Sequence, residues 1–174
     1  MPTQSRALPD ELIPLVGLSA RRVLLADQVA AAKFGTDSPI EEPERERRVL
    51  DDAVARAEVA GVDRQEALEF FRAQIEASKF IQRGLHDLWT RNPGLAPTRH
   101  PDLAAEVRPE LDRMTVELVE HLAATEELRR LTGLCEHSLA RAELEAGVGY
   151  GLDELHGQAL QGATSTVCGR RATW

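Results

Sequence analysis

The chain has 174 residues, 43% of them hydrophobic and 29% charged, enough for one domain with a real core or two closely packed lobes. Its formal net charge of −8 argues against nucleic acid or an anionic membrane as partner, and no apolar run approaches the length of a membrane span. An anionic ligand would have to be met by cations gathered locally, against the overall field.

The pattern reads as all helix, with no alternating strand segments. A first helix is predicted from Pro9 or Asp10 to Phe34, with Pro14 tolerated in its first turns, and Gly35 to Pro39 breaks it. A second opens near Pro43, where Glu41, Glu42, Glu44 and Glu46 favour a helix N-terminus, and runs to about Ala60. Gly61 ends it, and Asp63 can cap a long third helix from about Arg64 to Arg91. Residues 92–101 form a Pro/Gly loop. A fourth helix then spans about Asp102 to Thr132, and Gly133 separates it from a shorter one, about Leu134 to Ala146. Gly147, Gly149 and Gly151 read as a helix break rather than a phosphate loop, because the strand and lysine of a P-loop are missing. A last helix runs from about Leu152 to Val167, and Gly169 to Trp174 is expected to be loose. The fold class is therefore an all-α bundle of about six helices. It reads as a single domain over 1–174, with site chemistry in 10–110 and a C-terminal helical part over 111–168.

The long third helix carries an anomaly. Its seam runs Leu68, Phe71, Ile75, Ser78, Gln82, Leu85, Trp89, the spacing of residues that face a neighbouring helix, yet two members are polar. The first helix repeats it with Leu15, Leu18, Arg22, Leu25, Val29 and then Lys33. Arg22 and Lys33 are eleven residues apart, three helical turns, and share a face. Buried polar groups need partners. Taken singly, these residues suit bland roles: a snorkelling arginine, a glutamine setting helix register, a solvated run at Glu42, Arg45 and Glu46. Taken together, with Arg108 after the loop, the cations, amide, hydroxyl and carboxylates suit a small molecule with two carboxylates and hydroxyl groups. Ser78 has no adjacent histidine and no nucleophile–base pair is evident, so such a set works by positioning and hydrogen bonding.

No C-x-x-C or H-x-x-x-H spacing occurs, so a metal site is not expected. Met1 to Asp10 has no apolar core of the kind a signal peptide carries. The chain is then either cytoplasmic, its two cysteines simply small buried hydrophobes, or a mature exported form in which they pair.

The order Arg22, Lys33-Phe34, Pro39 to Glu46, then Gln74 to Gln82 resembles the all-helical chorismate mutases. Trp89, Pro101-Asp102-Leu103, Arg108 and a cysteine pair 33 positions apart resemble their secreted (gamma) subclass, the likeness covering roughly residues 15–168. The resemblance implies a Claisen rearrangement of chorismate to prephenate without cofactor or covalent intermediate. It implies that Arg22 and Arg108 hold the substrate carboxylates, with Ser78 assisting. Lys33 and Gln82 would hydrogen-bond the ether oxygen, and Glu42 and Glu46 would orient the ring hydroxyl. Arg45 would hold that end of the site, with Val49 as apolar neighbour. It further implies a Cys135–Cys168 disulfide, export, and a homodimer whose sites are each complete within one chain, Arg108 coming from the same chain as the rest. The chain departs from the family at Phe34 (tryptophan in some members), Glu42 (often aspartate), Val49 (polar in some) and Gln82, a glutamate in some relatives. Two alternatives stay open: an isochorismate pyruvate-lyase on a similar scaffold, and a non-enzymatic helical interaction protein.

Overall fold

A computed structural model describes residues 10–169. Among them are seven α-helices: α1 (Ile13–Lys33), α2 (Pro43–Val59), α3 (Arg64–Arg91), α4 (Arg108–Ala124), α5 (Glu126–Arg130), α6 (Thr132–Gly149) and α7 (Glu154–Ala163). A 3-10 turn at Pro93–Leu95 and a π-helical turn at Leu103–Val107 fill the crossing from α3 to α4. The expected loose tail beyond Gly169 lies outside the described residues.

The longest helix is the axis of the molecule. Asp63 caps α3 by accepting from the Gln65 and Glu66 amides at 3.0 Å each. Its 28 residues then pack against α1, α2 and α7. Contact on several sides is why α3 buries more than one seam. Phe71, Gln82 and Trp89 are buried as the spacing predicts, and so are Phe70, Gln74, Ala77, Lys79 and Ile81. Gln74 is a three-way tie, donating to Ser19 Oγ of α1 at 3.0 Å and to the Ala163 carbonyl of α7 at 3.2 Å.

The first three helices fall close to their predicted limits; the C-terminal part differs. Thr125 and Leu131 divide the region expected as one helix. The reason is Arg129, buried at 5% exposure. It folds back to donate to the Leu122 carbonyl at 2.8 Å, caps the end of α4, and lies 3.6 Å from Glu66 of α3. Gly133 is not a break but the second residue of α6, and Gly147 and Gly149 are helical too. A helical glycine costs only about 1 kcal/mol, which the buried face of Cys135, Ser138, Ala142 and Ala146 outweighs. The turn itself falls to Gly151, whose φ of 61° is in the left-handed region.

Two ties hold α7 in place. Cys135 of α6 and Cys168, beyond α7, form a disulfide. His156 lies between Asp153, at the N-cap of α7, and Asp27 of α1, each contact 2.6 Å. Burial works against a charge on His156, but the hydrogen bonds its ring donates to Asp27 and then Asp153 outweigh it and raise its pKa. Burial raises Asp27, and the His156 amide and ring lower Asp153.

Removing the disulfide with C135S/C168S frees a loop of 33 residues and should cost roughly 3–4 kcal/mol in the chain-entropy model. That corresponds to a fall in Tm on the order of 10 °C. Calorimetry of oxidised wild type against the variant measures it. The His156 pKa is raised on folding, so its contribution is complete below its ordinary value of about 6.5 and fades as pH rises through the folded value. The stability gap between wild type and H156Q, from urea melts, should therefore be widest near pH 6 and shrink toward pH 9.

Candidate active site

Two polar side chains enter the bundle from α1. Lys33, in the last turn, is 4% exposed, and its Nζ lies 2.8 Å from Glu42 Oε2. Its surroundings hold the end of α1 firmly. The Phe34 ring packs edge-on against Trp89 (centroids 5.2 Å apart) and His86 (5.3 Å). His86 and His100 donate ring N–H bonds to the Ala30 and Ala31 carbonyls at 2.8 and 2.7 Å. Gly35, with φ 73°, then turns the chain toward α2. Arg22, three turns earlier, keeps some solvent contact but is surrounded by protein. Desolvation pushes its guanidinium down to about 10, with Asp112 opposing the fall, so it stays charged at neutral pH.

Three side chains of α3 meet them. Gln82 is 3% exposed, and its Nε2 donates to Ser78 Oγ at 3.1 Å. Its Oε1 is buried with no hydrogen-bond partner among the described residues. Lys79, which the seam analysis did not single out, is 7% exposed. Its Nζ contacts Glu41 at 2.7 Å and both Glu46 and Glu76 at 2.8 Å. Desolvation opposes its charge, but the contacts its ammonium makes to Glu41, Glu46 and Glu76 prevail and raise its pKa. A signal for Lys79 was present in the acidic run at 41–46 together with Glu76 one turn before it.

The N-cap and first two turns of α2 close the third side with Glu42, Arg45, Glu46 and Val49. Desolvation lowers the Arg45 pKa, and the charge of Arg108 lowers it further while Glu42 and Asp112 oppose. Arg108 itself is half-buried at the first residue of α4. The Asp102 side chain places it, capping the π-helical turn through the Ala104 and Ala105 amides.

These groups surround a cavity of about 110 Å³. Arg22, Lys33, Glu42, Arg45, Glu46, Val49, Ser78 and Gln82 all line it, with Gln74, Lys79 and apolar Val23, Ala26, Val29 and Ile75. Arg108 does not line it; Leu111 of the same helix does, and Arg108 stands beside it, close enough to act on Arg45. The charge balance is uneven. Among the described residues, Arg22, Arg45 and Arg108 have no carboxylate within 4.0 Å. Burial without a counterion is unfavourable for a cation, so the cavity is suited to an anion that supplies the missing charge.

Residues 13–83 match the family model described as chorismate mutase type II. A curated relative, the secreted chorismate mutase of Mycolicibacterium smegmatis, is 31% identical over 90% of this chain and 86% of its own. The chain belongs to the all-helical chorismate mutases. Its activity is that of an isomerase, the rearrangement of chorismate to prephenate. Crystal structures of chorismate mutases superpose closely. That from Burkholderia phymatum has 33% identity and a TM-score of 0.87 over 93% of this chain and 98% of its own. That from Burkholderia thailandensis has 38% identity and a TM-score of 0.86 over 91% and 99%.

Proposed function

We propose that the cavity between α1, α2 and α3 binds chorismate and is the site of its rearrangement. The observation that carries this reading is a cavity lined by Arg22 and Arg45, with Arg108 beside it, none ion-paired among the described residues, whose walls also hold buried Lys33 and Gln82. Chorismate is a dianion with an enolpyruvyl ether and a ring hydroxyl. Its rearrangement is unimolecular, so catalysis consists of fixing the reactive conformer and favouring the transition-state charge distribution.

In this reading Arg22 and Arg108 hold the two carboxylates in the compact, chair-like conformer, with the Ser78 hydroxyl assisting. As the C–O bond breaks, negative charge grows on the ether oxygen. Lys33 and the Gln82 amide donate to it there. Lys33 has three N–H bonds and uses one on Glu42, which leaves donors for the ligand. Because both groups are buried, their dipoles act at low dielectric and need no reorganisation. Glu42 and Glu46 accept from the ring hydroxyl, Arg45 holds that end, and Val49 packs beside it.

We infer further that the protein is exported. A disulfide and a relative named as secreted support this. We also read the chain as a single domain that forms a homodimer with each site complete within one chain. A cavity lined by residues of one chain supports the last point, and Leu144 and Val148, exposed on α6, offer apolar surface for a partner.

An absorbance assay of chorismate loss tests the reading. Lys33→Ala should lower kcat roughly 10²–10³-fold, as losing one donor to a developing oxyanion does elsewhere. Gln82→Leu should abolish turnover while the thermal melt stays unchanged or rises, since an apolar side chain replaces a buried amide with an orphaned oxygen. Prephenate as sole product separates a mutase from a pyruvate-lyase, which would release salicylate and pyruvate. Folded wild type without turnover would sink the assignment.

Gln82 also sets a pH expectation. An amide donates at any pH, whereas a glutamate donates only when protonated. Wild-type kcat should therefore be flat from pH 5 to 8. Gln82→Glu should retain activity at pH 5 and lose it progressively toward pH 8, as the introduced carboxyl ionises.

A further inference from the structure

Lys79 is the one buried cation of the cavity wall to which the rearrangement assigns no task. It neighbours Ser78 and lies three residues before Gln82 on α3, yet its ammonium turns toward the α1–α2 connection. There it meets Glu41 at 2.7 Å, Glu46 at 2.8 Å and, from its own helix, Glu76 at 2.8 Å. Arg83, one turn further along, reaches the other oxygen of Glu41 at 2.9 Å. The adjacent Glu42 pairs in the opposite direction, with Lys33 of α1. The segment entering α2 is thus tied to α3 through Glu41 and to α1 through Glu42.

Glu46 is the pivotal partner. It lines the cavity, and its buried Oε1 lies 2.8 Å from Lys79 Nζ as an ion pair without hydrogen-bond geometry, leaving Oε2 as an acceptor for a ligand. A free carboxylate there would face a dianion and would be free to swing among rotamers. Engagement by a buried ammonium offsets the first effect and prevents the second. Surface ion pairs contribute little, but at 7% exposure the Lys79 ammonium is poorly screened.

We propose that Lys79 is a positioning residue for substrate recognition, acting through Glu46 to present one fixed acceptor oxygen to the ring hydroxyl of chorismate. This rests on the role given to Glu46 above. Lys79 does not touch the reacting atoms, so it governs substrate affinity more than the chemical step.

The test is a double-mutant cycle in the full chain, with kcat and KM from chorismate loss and a thermal melt for each protein. Lys79→Met should raise KM about tenfold or more, the loss typical of a charge-assisted hydrogen bond, with kcat within about threefold of wild type. Lys79→Arg should restore most of the KM. Glu46→Gln should raise KM as well, and adding Lys79→Met to it should change KM by less than about twofold, because both substitutions break one chain of contacts. If Lys79→Met is poorly folded, Lys79→Gln takes its place in the cycle. A Lys79 variant that lowers Tm but leaves KM unchanged overturns the proposal, as do fully additive effects on KM. The reading of the site fails separately: wild type without turnover, or Glu46→Gln without effect on KM, would remove the premise itself.

Discussion

The enclosure of α3 governs the rest of the molecule. A helix packed against α1, α2 and α7 has little of its circumference left for water, yet it carries Gln74, Lys79 and Gln82 at 3–7% exposure. Each is handled differently. Gln74 donates to Ser19 and to the Ala163 carbonyl while also lining the cavity. Lys79 is satisfied by three carboxylates. Gln82 has a partner for its nitrogen and none for its oxygen. All three line the cavity, and at Gln82 the hydrogen bonding is left unfinished. Unfinished hydrogen bonding at a buried position is costly in the free protein, which is the condition under which a ligand that completes it binds well.

Charge follows the same logic at larger scale. The chain is acidic overall, at −8, and repels anions from a distance. Within the site the balance reverses. Arg22, Arg45 and Arg108 are brought together from α1, α2 and α4, and the desolvation they suffer is visible in the lowered pKa values of Arg22 and Arg45. The carboxylates nearby offset them only in part: Glu42 is paired with Lys33 and Glu46 with Lys79, while Asp112 acts on Arg22 and Arg45 from beyond ion-pair distance. Each acid of the wall is thereby neutralised by a lysine, and the arginines are left over. On the proposed reading, this segregation is what would let a site with two carboxylates hold a dianion.

Much of this was legible in the residues alone, for a definite reason. Helical period makes seam positions countable, so a polar residue in a seam is conspicuous. That is how Arg22, Lys33, Ser78 and Gln82 stand out, and all four line the cavity. Lys79 escaped because it sits just off the seam, at a position that on a two-sided helix would be solvent-facing. Contact with α2 buries it, and no single-helix pattern encodes that contact. Arg108 depended on a count through a π-helical turn, whose extra residue per turn shifts the register, and it sits beside the cavity rather than in its lining. The C-terminal helices misled in the opposite direction. Glycines at 133, 147 and 149 look like breaks, but a buried face carries the helix across them, while the real interruption at Thr125 comes from Arg129 reaching back to the Leu122 carbonyl. Tertiary contacts override local propensity where the buried face is continuous.

A site that works by positioning needs stiffness more than reactive groups, and the C-terminal third supplies it from behind. Ala159 and Ala163 of α7 pack on Val23 and Ala26 of α1 and on Ala77 and Ile81 of α3. Val23 and Ala26 form part of the cavity wall itself. Small residues let the helices approach closely, so a shift of α7 would be felt directly at the wall. Leu155 closes over Gly84, where even a single added methyl would lie 2.8 Å from its Cδ1. The His156 contacts anchor one end of α7 and the disulfide follows its other end. Held at both ends, α7 cannot slide without breaking either two short hydrogen bonds or a covalent link. Binding energy that would otherwise go into ordering the pocket remains available for holding the reactive conformer. On the proposed reading of the site, the helices with no reactive chemistry bear on the rate through the geometry they impose on Arg22, Lys33 and Gln82.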